Sequence, residues 1–176
     1  MPLRLFVAAY PPADIAAGLL ASTTALNIPN AKLVSPEQLH LTLHFIGDTD
    51  ARQLPDVHES IARSVSGLTP ACLRITHLET MPPRRPHLIA AILSPHATLS
   101  ELHRRLAHRL ARNLNEKGRP YLPHMTTARF RNEQQPEITH PLEPAPEFDL
   151  TEVLLMRSVL HSSGAEHRIE ARFPLA

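Results

Sequence analysis

A single cysteine, Cys72, in 176 residues excludes an intramolecular disulfide framework and every multi-cysteine zinc motif. It fits a reducing compartment. Five glycines are too few for a glycine-rich phosphate loop, and neither a P-loop nor a dinucleotide fingerprint occurs. Charge of one sign is lacking as well: 18 Lys+Arg against 17 Asp+Glu leave a net charge of +1. That balance excludes the uniformly basic chain of a protein living on duplex DNA, but leaves room for a nucleic acid held at a small local site. No apolar run approaches the roughly 20 residues of a membrane span. The run near the start, Leu5–Ala9, is also too short for a signal-peptide core. The expectation is a soluble, cytoplasmic protein with no membrane association and no evident protein partner, acting as a monomer.

Proline and histidine, by contrast, are abundant. The 18 prolines are about 10% of the chain, against a usual share of about 5%. Twelve histidines invite a metal-site reading. Against it, no H-E-x-x-H and no clustered H-x-H with nearby carboxylates occurs. His40 and His44, four apart, would suit a metal site on a helix better than the strand expected there.

Hydrophobic patterning predicts a buried strand over 3–10, stopped by Pro11-Pro12. A helix follows to about Leu26, capped by Asp14. Ser35-Pro36-Glu37 is turn chemistry. The segment Leu39–Gly47, LHLTLHFIG, alternates: Leu39, Leu41, Leu43 and Phe45 share one face, and His40, Thr42, His44 and Ile46 the other. Next come a helix over about 52–66 with Pro55 in its first turn, and strands near 71–78 and 87–93 around the proline-rich stretch 80–86. Leu99, Leu102, Leu106, Leu110 and Leu114, with Ala107 and Ala111 beside them, mark an amphipathic helix stopping near Gly118. A strand from His124 to about Arg131, an extended loop over 132–147 and a hairpin around Ser162-Ser163-Gly164-Ala165 complete the chain. This order predicts an α+β fold with mainly antiparallel sheet, in one domain over 1–176.

One pattern repeats. HLTL at His40–Leu43 returns as HMTT at His124–Thr127, each after a turn-rich stretch and each at the start of an expected strand. In a strand, residues i and i+2 point to the same face, so His40 projects with Thr42 and His124 with Thr126. If the two halves pack about a pseudo-two-fold axis, two imidazoles and two hydroxyls converge on one cleft. Imidazole titrates near neutrality and can serve as acid or base. Threonine hydroxyls can donate to non-bridging phosphate oxygens. Together they meet the needs of phosphodiester cleavage without a metal: one proton taken, one given, and charge stabilised on the pentavalent transition state. The competing hypotheses are a metallohydrolase and a non-catalytic module that binds RNA ends.

The motifs HLTLHFIG and PHMTTARF resemble the paired signatures of the 2H phosphoesterases, specifically the bacterial 2′-5′ RNA ligase and RNA 2′,3′-cyclic phosphodiesterase group. Supporting context comes from RLFVAAYPP, Gly47, Arg129 and SVLHSSGAEHRIEARFPL, spanning most of the chain. The resemblance implies two pseudo-symmetric lobes with flanking helices, one motif per lobe, and a central groove. It implies metal-independent hydrolysis of a terminal 2′,3′-cyclic phosphate to a 2′-phosphate, with 2′-5′ RNA ligation as a weaker or reverse activity and no cofactor. His40 would donate a proton to the leaving 3′-oxygen, His124 would activate water, and Thr42 and Thr126 would hold the phosphate. Three residues depart from the pattern: His167 stands where an aromatic residue is frequent, His44 where lysine or arginine is common, and Thr127 where an aliphatic residue is usual. These bear on substrate preference, and a small cyclic nucleotide is an alternative substrate.

Arg129 is a further candidate for binding substrate. Strict alternation from His124 puts it on the opposite face, so it reaches a phosphate only if the strand bends or bulges; otherwise it is a solvated arginine. His44 shares the His40 face, and either lines the groove or is an exposed sheet histidine. Phe45 shares the Leu41 and Leu43 face, which predicts packing, while the resemblance places an aromatic near the base. Arg104, Arg105, Arg109 and Arg112 on the long helix, and Arg84-Arg85 in the proline-rich stretch, read as solvated charge that could also steer an RNA backbone. Cys72 is expected to pack as a small buried hydrophobe.

Overall fold

In the computed structural model, which describes residues 2–110, 120–130, 136–162 and 164–176, the apolar segment LRLFVAA forms β1 (Leu3–Ala9). There follow α1 (Ala13–Ala25), β2 (Lys32–Leu33), β3 (Leu41–Thr49), α2 (Leu54–Val65), β4 (Ala71–Met81), β5 (Leu88–Leu93) and α3 (Ala97–Leu110). The chain continues through β6 (His124–Arg129), β7 (Thr139–Pro141), β8 (Glu147–Leu150), β9 (Glu152–His161) and β10 (Gly164–Pro174). Short 3-10 turns at Pro36–Gln38 and Ala51–Gln53 precede β3 and α2. The strands form one ten-stranded sheet in the order β10-β9-β1-β3-β6-β5-β4-β7, with β2 added to β6 and β8 to β4. Every strand pairing among the described residues is antiparallel. The expected α+β, antiparallel architecture is therefore what forms.

β1 lies inside the sheet because both of its faces are apolar. Leu5, Val7 and Ala9 join the large core, while Phe6 and Ala8 pack with Leu154 and Met156 in a small second cluster. The helices feed the large core with stripes at three- and four-residue spacing: Val57, Ile61 and Val65 from α2, and Leu99, Leu102 and Leu106 from α3. The sheet has one weak seam. β3 and β6 touch through a single pair, Leu41 with Met125, so two half-sheets meet at the two motif strands.

Several boundaries differ from the sequence expectations. α1 starts after Pro12, which has no capping side chain, and Asp14 sits within the first turn. β4 runs on to Met81, and the expected loop over 132–147 contains β7 and the start of β8, because both pair with β4. Cys72 is exposed: in β4 the alternate residues Ala71, Leu73 and Ile75 are buried, which turns Cys72 outward. The hairpin forms as β9 and β10. The expected helix stop at Gly118, with Ala111, Arg112 and Leu114, lies outside the described residues, as do Arg131 and Ser163.

Candidate active site

Both motif strands start at the seam. In an antiparallel ladder, the pairing of Leu41 with Met125 sets His40 beside Thr126 and Thr42 beside His124. Leu41 and Met125 point into the core, so the four motif side chains project from the other face. They line one cleft of about 1040 Å³, joined by Arg129 and Lys32 on the β6 side and by His161, Glu166 and His167 from the β9–β10 hairpin. Ala8 stands opposite Thr42, and Ala90 opposite Thr126. Each hydroxyl thus has only a methyl group for its outer neighbour.

The backbone orients both imidazoles in the same way. Nδ1 of His40 lies 2.6 Å from the Gln38 carbonyl oxygen, and Nδ1 of His124 lies 2.9 Å from that of Leu122. A carbonyl only accepts, so Nδ1 carries the hydrogen and Nε2 is the nitrogen left to exchange protons.

A bulge follows each motif. The β3–β1 register slips between Val7 and Ala8, which leaves Leu43 as the extra residue; the β5–β6 register slips between Ile89 and Ala90, which leaves Thr127 extra. Two consecutive residues are buried at each place, Leu43-His44 and Thr127-Ala128. The bulge in β6 returns Arg129 to the face of His124 and Thr126, and Arg129 lines the cleft. The bulge in β3 has the opposite effect on two expectations. His44 pairs with Val7 and turns inward, only 6% exposed, so it does not line the cleft. Phe45 pairs with Phe6 and emerges 48% exposed rather than packed, outside the cleft lining, with the Arg4 guanidinium 5.3 Å from its ring centre.

The bulges are held by residues that sequence reasoning missed. Tyr121 donates its hydroxyl to the Thr42 carbonyl at 2.9 Å. It stacks on His103 at 4.1 Å, and Nδ1 of His103 meets the Leu43 carbonyl at 2.7 Å. Burial pushes the Tyr121 hydroxyl well above the usual phenol range. The one signal in the sequence is the position of Tyr121, three residues before His124. In β6, the hydroxyls of Thr127 and Thr23 from α1 lie 2.9 Å apart, both buried, and Thr127 donates to the Ile89 carbonyl at 3.2 Å. Thr127→Val is expected to cost about 1 kcal/mol. In urea unfolding, the double variant with Thr23→Val should lose less than the sum of the single losses; strict additivity would show that the two hydroxyls do not interact.

His40 is enclosed by the rings of Phe6, Tyr10 and His167, at 5.1, 5.4 and 5.2 Å between centres. Burial is the main reason its imidazole is pushed down to about 4; the Gln38 carbonyl pulls the other way, and the proximity of His167, Arg129 and His124 adds to the lowering. Burial also lowers His167 and raises the Tyr10 hydroxyl to about 12. A histidine lowered in the folded state holds fewer protons there than when unfolded. Stability is therefore fully present above about pH 6.5 and falls as pH drops towards 4. The loss from His40 is about 3 kcal/mol. Urea midpoints measured across this range should slope less steeply in His40→Ala; an unchanged slope would assign the acid sensitivity to other groups.

The remaining histidines disperse. His77 pairs with Glu79 and His161 with Glu166, and among the described residues no three His, Cys, Asp or Glu side chains gather closely enough to hold a metal ion. Arg104 and Arg105 are both tied to Glu101 on α3. No described helix is long and apolar enough to cross a membrane.

Comparison with known proteins adds to this geometry. The sequence model of the 2′-5′ RNA ligase superfamily matches residues 11–161. An RNA 2′,3′-cyclic phosphodiesterase of Methanocaldococcus jannaschii is 25% identical over 129 residues, 73% of this chain and 72% of that protein. A protein of the same name from Geobacillus stearothermophilus is 29% identical over 155 residues, covering 85% of this chain and 49%, about half, of its own length. Among solved structures, TT0787 of Thermus thermophilus superposes with a TM-score of 0.83 at 24% identity, over 98% of this chain and 97% of that one. E. coli LigT, solved with 3′-AMP, superposes with a TM-score of 0.80 at 22% identity, over 100% and 99%. At that identity the two structures speak for the fold.

Proposed function

The chain belongs to the 2′-5′ RNA ligase superfamily, and from that membership we propose that it is a cyclic phosphodiesterase that opens RNA 2′,3′-cyclic phosphate ends to 2′-phosphates. In this reading one domain spans 1–176, each half-sheet is a lobe carrying one motif, and the protein works as a cytoplasmic monomer without metal or cofactor. The observation that carries the reading is the matched pair of histidines, each with Nδ1 fixed by the carbonyl two residues earlier and each beside the other motif's threonine.

The chemistry balances on these groups. Nε2 of His124 takes a proton from water as its oxygen attacks phosphorus. The hydroxyls of Thr42 and Thr126 donate to the non-bridging oxygens of the pentavalent state, and Arg129 offsets its charge. The bond from phosphorus to the 3′-oxygen breaks, and protonated Nε2 of His40 supplies that oxygen with its proton, leaving a 2′-phosphate and a 3′-hydroxyl. The low proton affinity of His40 fits a donor in one respect: a loosely held proton passes readily to an alkoxide. The anionic phosphate favours the charged form of His40 once it arrives. A 5′-hydroxyl in place of water would give a 2′-5′ linkage by the same steps.

A direct test offers the protein two substrates in parallel, an RNA ending in a 2′,3′-cyclic phosphate and a 3′,5′-cyclic mononucleotide. Opening of the RNA end is expected; opening of the mononucleotide alone would overturn the RNA reading.

A further inference from the structure

The two halves of the cleft match in backbone and differ in charge. The fifth residue after each motif histidine is Phe45 in β3 and Arg129 in β6. On the β6 side, Lys32 of β2 pairs with Arg129, and Arg129 pairs with Leu88 of β5, so the three form one row across the sheet, and all three line the cleft. Strands stand about 4.8 Å apart, so this row is about 10 Å wide. Immediately beyond Leu88 lies the turn over 82–87, which carries exposed Arg84 and Arg85 and is tied to the end of β6 by the hydrogen bond from the Phe130 amide to the His87 carbonyl at 3.0 Å.

Among the described residues, none of Lys32, Arg84, Arg85 and Arg129 forms an ion pair. The one carboxylate at the turn among the described residues, Glu137, is engaged by the backbone amide of Arg84 at 2.8 Å. Glu166, the one carboxylate lining the cleft among the described residues, lies at the hairpin and is taken by Arg168 and His161. A cyclic phosphate carries a single negative charge, which the motif groups and Arg129 already meet. Three further cations, Lys32 on one side of Arg129 and Arg84 and Arg85 at the turn beyond Leu88 on the other, have no counterpart in a mononucleotide.

We propose that Lys32, Arg84 and Arg85 form a subsite for the backbone phosphates upstream of the reacting end, so that the protein selects an RNA strand over a mononucleotide. This rests on the phosphodiesterase reading of the cleft. Cations on phosphates release counterions, so removing each of these charges should flatten the salt dependence by about 0.7 in a log–log plot for single strands.

The experiment measures kcat/KM for a mononucleoside 2′,3′-cyclic phosphate and for an RNA of ~10 nucleotides with the same end, a length within the usual range of single-strand sites. Lys32→Gln, and separately Arg84→Gln with Arg85→Gln, should lower kcat/KM for the RNA by about fivefold or more and flatten its salt dependence, with the mononucleotide changed by less than about twofold. Equal loss on both substrates, or identical salt slopes in wild type and variants, would overturn the subsite. If the wild type opens neither substrate, the phosphodiesterase reading itself fails. Fluorescence anisotropy of the same RNA then decides the subsite separately: weaker, less salt-dependent binding by the variants supports it, and unchanged binding overturns it.

Discussion

His40→Ala and His124→Ala are each expected to lower the rate of cyclic-phosphate opening by about 10²–10⁴-fold, the usual contribution of a positioned acid or base. Both side chains line the cleft, and among the described residues neither imidazole bonds to another strand: each is tied by Nδ1 to its own segment. The fold should therefore survive, with circular dichroism unchanged, and His40→Ala should also be less sensitive to acid. Loss in the double variant should fall short of the product of the two single losses, because acid and base act in one step. Wild-type turnover in either single variant would remove that histidine from the chemistry.

The second large effect separates the two roles. A nitrophenolate leaving group departs without a proton, so a nitrophenyl phosphodiester does not need the donor. On that substrate His40→Ala should recover by at least about 10²-fold relative to its deficit on RNA, whereas His124→Ala, lacking the base, should stay impaired. Recovery in His124→Ala instead would reverse the assignment. The reversed order has a physical argument of its own, because burial favours neutral His40, the form that a base needs.

The site was legible in the sequence wherever a period of two holds. His40 with Thr42, and His124 with Thr126, obey it, and all four line the cleft. Legibility ended at the bulges, where one extra residue inverts the face of everything after it. Arg129, His44 and Phe45 all lie beyond a bulge, and strict alternation assigned each to the wrong face. Cys72 failed for another reason: a strand was expected, but alternation alone does not say which of its two faces meets the core, and here Ala71, Leu73 and Ile75 do. Tyr121, His103 and Thr23 act across the fold on the backbone or side chains of the motif strands, and of the three only Tyr121, close before His124, stands near a motif in the sequence. The twelve histidines show the converse: the count alone says nothing of function, and four of them, His40, His124, His161 and His167, line the cleft.

The central claim is that two histidines of this chain open a cyclic phosphate by acid–base chemistry, breaking the bond to the 3′-oxygen. The measurement is incubation with an RNA 2′,3′-cyclic end in excess EDTA, followed by identification of the product. A 2′-phosphate formed at the same rate with and without the chelator is the predicted result. A 3′-phosphate product, or activity lost to EDTA and restored by added metal, would contradict it.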